Sequence, residues 1–167
     1  MREIWFDGSR CVACLTCALA CAIEHTPEKS LFTALRNRAA LRSRMEVRVT
    51  EGFLLPVQCR HCSNPPCLYA CMASAVSRDG ETGIVSVDGR RCVSCLMCVM
   101  VCPLGAISVS GDGMAPLRCD RCPERDVPAC VAACPTQALT YERWDGRMAR
   151  QRNAAAAGVY AVRGWRE

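Results

Sequence analysis

Sixteen cysteines arranged in four strings constrain this chain more than any other feature. String one is Cys11, Cys14, Cys17 and Cys21; string two is Cys59, Cys62, Cys67 and Cys71. String three is Cys92, Cys95, Cys98 and Cys102; string four is Cys119, Cys122, Cys130 and Cys134. No cysteine lies outside them, and every string closes on C-x3-C. Strings one and three share a two-two-three spacing. Strings two and four stretch the second gap, to four residues in "CRHCSNPPC" and seven in "CDRCPERDVPAC". Packing alone asks for no such rhythm, whereas ligation does.

The first three cysteines of a two-two spacing can wrap three corners of one iron–sulfur cube. The following helical turn carries the fourth away to a different cube, as in the run C-x2-C-x2-C-x3-C-P. String three, "CVSCLMCVMVCP", matches that run at every position, and string four matches it at Cys134-Pro135. At four thiolates per cube, sixteen cysteines make four [4Fe–4S] clusters with none left over. Structural zinc sites instead favour two C-x2-C pairs separated by a loop of about a dozen residues or more. Tight triplets with a displaced fourth ligand suit a cube better than a tetrahedral ion, so a zinc-structured binding module is the lesser alternative.

The rest of the composition agrees. Apolar residues are 51% of the chain when cysteine is counted, and roughly 41% without it. Only nine residues are aromatic. A core of this kind is thin and needs staples. Disulfides require an oxidising compartment. The apolar stretch Cys11 to Ile23 resembles a signal-peptide core only superficially, because cysteines punctuate it and Glu24-His25 follows in place of a cleavage site. No run reaches the roughly 20 apolar residues of a membrane span. The longest, Cys95 to Ile107, is broken by Pro103. The chain is therefore expected to be cytoplasmic, with no membrane span and with its thiols on metal.

The formal net charge is +5. Each oxidised cube with its four thiolates carries about −2, so the loaded protein would sit at about −3. The basic residues offset anionic clusters and need no nucleic acid to explain them. The aromatic–basic interleaving of a single-strand binder is absent. No P-loop or G-x-G-x-x-G fingerprint occurs, and no other catalytic motif is recognisable.

Between the strings, short hairpins are expected. "REIWF" runs into Asp7-Gly8; "MEVRV" and "FLLPV" flank Glu51-Gly52; "AVSR" and "GIVSV" flank Asp79-Gly80; "AISVS" and "MAPLR" flank Gly111 to Gly113. Short helices should carry each C-x3-C, near Thr16–Glu24, Pro65–Ala70, Leu96–Val101 and Val127–Ala133, with Asn64 and Asp126 as N-caps. The fold class expected is α+β: two ferredoxin-like modules of short hairpins and short helices around four clusters, with a C-terminal extension. Thr26 to Arg44 reads as a basic spacer helix packed by Leu31, Leu35 and Leu41, or as a partner-docking element. Residues 143–167, rich in arginine, read as a peripheral helix or as a docking arm on a larger subunit or a second copy. His25 and His61 are the only histidines. They are expected to be ordinary, partly exposed side chains, with His61 also a candidate hydrogen-bond donor to a cluster sulfur.

Over residues 1–142 the strings, with "LLPVQCRHCSNPPC", "DGETGIVSVDGRRCVSCLMCVMVCPLGAI" and "LRCDRCPERDVPACVAACPTQAL", resemble the four-cluster ferredoxin-like electron-transfer subunits. These accompany molybdenum or tungsten oxidoreductases, formate dehydrogenases, hydrogenases and CO dehydrogenase. The resemblance implies one four-cluster domain over 1–142, with strings one and four enclosing an inner module at 57–110. Cube A would be held by Cys11, Cys14, Cys17 and Cys134, and cube B by Cys119, Cys122, Cys130 and Cys21. Cube C would use Cys59, Cys62, Cys67 and Cys102, and cube D Cys92, Cys95, Cys98 and Cys71. The cubes should lie in a row. Met72 follows Cys71 where many such subunits have proline. The implied role is a non-catalytic relay between a catalytic metalloenzyme subunit and a second redox partner, flavin or ferredoxin, with self-association open. A free polyferredoxin shuttle is the alternative.

Overall fold

A computed structural model of the chain describes residues 2–36, 41–50, 53–110, 113 and 115–163. The fold is α+β, assembled from short hairpins and short helices. Strand β1 (Arg2–Phe6) leads into one 3-10 turn, Gly8–Arg10. Helices α1 (Thr16–Glu24) and α2 (Leu31–Arg36) follow, then strands β2 (Met45–Thr50) and β3 (Phe53–Gln58). Next come α3 (Pro66–Tyr69), β4 (Val76–Arg78), β5 (Val85–Val87) and α4 (Met97–Met100). The chain ends with β6 (Ser108–Val109), β7 (Pro116–Leu117), α5 (Ala129–Ala132), β8 (Leu139–Arg143) and α6 (Trp144–Arg163).

Each strand pairs antiparallel with one partner. Three pairs are local hairpins: β2 with β3, β4 with β5 and β6 with β7. Pro56 lies in β3 opposite Val47; a two-stranded ribbon has only edges, where a missing N–H costs least. Strand β1 departs from expectation. It forms no hairpin through Asp7-Gly8 but pairs with β8, from Arg2 opposite Arg143 to Phe6 opposite Leu139. Asp7 instead closes the 3-10 turn, where its Oδ1 accepts from Ser9 N at 3.0 Å and Ser9 Oγ at 2.6 Å. The two ends of the cluster-bearing chain are thereby tied side by side.

Helix α1 occupies its expected span, and α3, α4 and α5 fall inside theirs. The expected caps do not form. Helices α3 and α5 start behind Pro65 and Pro128, without a side-chain cap, so Asn64 and Asp126 play no such role. Proline suits these starts because its fixed φ and absent N–H cost nothing there. Helix α2 is shorter than the expected spacer and buries Ala34, while Leu31 and Leu35 stay exposed. Residues 37–40 of that segment lie outside the described residues.

Two small cores result. One joins Ile4, Cys21, Met45, Cys119, Cys130 and Leu139, with Cys17, Cys59 and Cys134 at its edge. The other joins Cys67, Val76, Val85, Cys98 and Ile107, with Cys71 and Cys102 at its edge. Helix α1 packs on α5 and α3 on α4. The first lobe therefore combines strings one and four, and the second combines strings two and three.

Candidate metal centres

The backbone of the four strings repeats one unusual turn. The residue before the second cysteine is left-handed in each: Ala13 at φ 59°, His61 at 49°, Ser94 at 56° and Arg121 at 62°. Leu15 and Leu96 repeat the conformation ahead of α1 and α4. None of these is glycine, and each pays roughly 1–2 kcal/mol for the conformation. Left-handed residues within such turns aim successive N–H groups into one concavity, the arrangement that binds anions, iron–sulfur centres among them. Four repeats of the same strained turn, each holding two cysteines, fit a [4Fe–4S] cube.

The sulfurs gather into sets drawn from different strings. Cys11, Cys14 and Cys17 line one hollow together with Cys134. Cys92, Cys95 and Cys98 line another with Cys71. Both hollows are otherwise mostly apolar, with Leu15, Val47 and Leu139 in the first and Val76, Val87 and Leu96 in the second. Cys130 lies in electrostatic reach of Cys119, Cys21 and Cys122, and Cys59 in reach of Cys67 and Cys102.

Neighbouring sets also lie within electrostatic reach of one another. Cys130 feels Cys17, Cys119 feels Cys59 and Cys98 feels Cys67. Those three couplings order the sets as Cys11/14/17/134, then Cys119/122/130/21, then Cys59/67/102, then Cys92/95/98/71. Exposure follows the same order. Cys14 and Cys95, at the two ends, are the exposed cysteines, whereas all four of the second set are buried.

Burial disfavours the thiolate where no iron is bound: it pushes Cys119 up to about 12 and drives Cys130 upward as well. Cys21 behaves differently. Burial opposes its ionisation, but His25 and the Arg44 N–H, at 3.3 Å from Sγ, outweigh it and lower the pKa. Backbone N–H groups reach two more sulfurs, from Ala75 to Cys71 at 3.2 Å and from Arg121 to Cys119 at 3.4 Å. Such donors favour the anionic ligand.

Charged side chains surround the second set and are paired. Asp120 takes the Arg44 guanidinium and His25 Nε2, the latter at 3.2 Å. Burial alone would raise the Asp120 carboxyl, but His25, the Cys122 N–H and Arg44 bring it down to about 2. Glu24 meets Lys29 at 3.1 Å and Arg125 at 3.0 Å. His25 is partly exposed, as expected. His61 is not; it is 3% exposed and accepts the Val85 N–H on Nδ1 at 3.0 Å, which puts its proton on Nε2. Burial and the nearby Arg121 and Arg118 push it down to about 4, so the ring is neutral. Sequence reasoning missed Arg118, which is buried and donates from Nη1 to Cys67 Sγ at 3.4 Å. Its place directly before Cys119 was the only signal, and that adjacency points to the wrong set.

Among the described residues no helix is long and apolar enough to cross a membrane. Residues 50–143 match the family model of a 4Fe-4S dicluster domain. An "Iron-sulfur protein" of Rhodospirillum rubrum is 34% identical, over 93% of this chain and 90% of that protein. "Electron transport protein HydN" of Escherichia coli (strain K12) is 36% identical, over 83% of this chain and 86% of that protein. "Thiosulfate reductase electron transfer subunit PhsB" of Salmonella typhi is 31% identical, over 94% and 88% respectively.

Proposed function

The chain belongs to the 4Fe-4S dicluster domain family, and from that premise we propose that it is the electron-relay subunit of an oxidoreductase complex. Four [4Fe–4S] clusters are its cofactors. When bound, each takes up and gives back one electron at a potential set by charge, hydrogen bonding and exposure. Cys11, Cys14, Cys17 and Cys134 hold cube A; Cys119, Cys122, Cys130 and Cys21 hold B. Cys59, Cys62, Cys67 and Cys102 hold C, and Cys92, Cys95, Cys98 and Cys71 hold D. The protein supplies spacing, environment and docking, and carries no catalytic residue of its own.

The observation that carries this reading is the run of electrostatic coupling between sulfurs from set to set, with exposed cysteines only at its two ends. A relay needs a buried middle and two accessible terminals. Exposed apolar side chains stand at both: Val12, Leu15 and Leu19 beside set A, and Val93, Met97 and Met100 beside set D. One terminal serves a catalytic metalloenzyme subunit and the other a flavin or ferredoxin partner. HydN and PhsB, by name an electron transport protein and an electron transfer subunit, support the assignment. The motif resemblance favours a catalytic partner of aldehyde oxidoreductase, CO dehydrogenase, formate dehydrogenase or hydrogenase type. Reduced thiols at this density suit the cytoplasm, and α6 is the arm on which a partner or a second copy would dock.

A free shuttle is the competing function. Anaerobic purification of the native complex separates the two: iron and sulfide near sixteen of each per chain, with a catalytic subunit travelling alongside. A loaded monomer with no companion would turn the reading to the shuttle, and iron far below that count would end it.

A further inference from the structure

Arg118 is 4% exposed, yet only one of its three guanidinium nitrogens, Nη1, has a partner, the Cys67 sulfur at 3.4 Å. Nε and Nη2 are buried with no hydrogen-bond partner among the described residues. An uncompensated buried cation costs several kcal/mol. Carboxylates do not offset this one. Arg121 and Arg78 add positive charge around His61 beside it, where Asp120 is the counter-charge and is itself bound by Arg44 and His25. Glu3 lies 3.9 Å from Arg121 and answers that guanidinium, so among the described residues the group bonded to Arg118 is the Cys67 sulfur of the thiolate set itself. Arg118 acts on Cys59 and Cys98 as well as Cys67.

The geometry also makes Arg118 a crossing residue. Its backbone precedes Cys119, a ligand of B, while its side chain lies on Cys67, a ligand of C. The environments of the two inner sets differ accordingly. Around B, Asp120 and Glu24 are each matched by two cations. Around C, Arg118 has no carboxylate partner among the described residues.

We propose that Arg118 raises the reduction potential of the cube held by Cys59, Cys62, Cys67 and Cys102 above that of the cube held by Cys119, Cys122, Cys130 and Cys21. An added electron increases negative charge on the sulfurs, so a buried guanidinium bonded to one of them stabilises the reduced form more than the oxidised form. The electron then rests preferentially on the second-lobe side of the seam. This rests on the four-cluster reading above.

Potentiometric titration of the loaded chain, followed by electron paramagnetic resonance, compares wild type with Arg118→Gln and Arg118→Lys. In Arg118→Gln one of four one-electron waves should lose at least tenfold in its reduction equilibrium, a fall of about 59 mV; the wave of the cube held by Cys98 should fall by less, and the other two move far less. Arg118→Lys, which keeps the charge, should shift the most affected wave by less than half as much. Four waves that all stay in place, or all move together, overturn the proposal and leave the four-cluster reading intact; fewer than four waves in wild type overturns that reading instead. Should the Gln variant lose iron, wild-type chain with 15N in its arginine guanidinium groups decides the matter. A nitrogen coupling on one cube as it is reduced, at a higher potential than at least one cube without such coupling, supports the assignment; its absence from every reduced cube overturns it.

Discussion

Trp5 and Trp144 stack with ring centroids 5.1 Å apart and planes tilted by 43°. Arg147 completes the joint with its guanidinium 5.7 Å from the Trp5 ring, and both Arg147 and Arg150 pair with Glu142 of β8. Helix α6 is thus fastened at its first two turns, whereas Gln151 to Gly158 stand exposed. An aromatic pair of this geometry contributes about 0.5–1.5 kcal/mol beyond burial. Trp144→Ala should therefore loosen the whole of α6 without touching a ligand. Hydrogen exchange should speed several-fold across α6 while iron content stays at the wild-type level. Unchanged exchange would mean that the arm is held by something other than this joint.

A second prediction comes from a repeated backbone. Three residues after the last cysteine of strings two, three and four the chain is left-handed, at Ser74 (φ 48°), Gly105 (φ 58°) and Gln137 (φ 53°). Each N–H bonds back to the carbonyl of that cysteine, at 3.0, 3.1 and 3.2 Å. A Cβ on Gly105 would meet nothing within 4 Å, so Gly105→Ala is a test of conformation alone. It should cost about 1–2 kcal/mol. Bleaching of the visible cluster absorbance in fixed guanidinium should quicken by about five- to thirtyfold. Gln137→Gly, at the matching turn, should not quicken it.

What the sequence discloses is local. The spacing C-x2-C-x2-C names the cofactor, and the turn signal at Asp79-Gly80 places β4–β5, because each signal acts within a few residues; the turn expected at Glu51-Gly52 lies outside the described residues. The β1–β8 pairing is invisible in this way, since nothing in "REIWF" specifies a partner at the opposite end of the cluster domain. At Asn64 and Asp126 the expected caps give way to uncapped starts at Pro65 and Pro128, because the fixed φ of proline sets where each helix begins. His61 looked ordinary and is buried, and Arg118 looked like a neighbour of B and reaches C. Both side chains act across the seam between lobes, which no periodicity describes.

Removing iron should unfold the cluster domain. Three of the six residues in the first core are Cys21, Cys119 and Cys130, and two of the five in the second are Cys67 and Cys98. Without metal these become small side chains lining a hollow, and the remaining aliphatic contacts fall short of the chain entropy, about 1–2 kcal/mol per residue. Anaerobic chelation should therefore erase slow-exchanging amides in β1, β8, β4 and β5 together. Retained protection in any of these pairs would show a core that stands without its cofactor.

The ligand sets themselves are open to a direct test through Cys134 and Cys14. These residues stand near opposite ends of the cluster domain in sequence, yet both line one hollow and Cys14 feels the charge of Cys134. If the sets nest as proposed, both belong to A. Cys134→Ser should then convert or remove a single cube, and Cys14→Ser should affect that same cube. The double variant should lose no more than either single one, leaving about twelve irons per chain. If each string instead kept its own cube, the two lesions would fall on different centres and the double variant would retain about eight. Iron and sulfide analysis distinguishes the outcomes, because lesions at one shared centre are non-additive and lesions at independent centres add. The same comparison with Cys71→Ser and Cys98→Ser tests set D: about twelve irons again if Cys71 leaves string two for string three, and about eight if it does not.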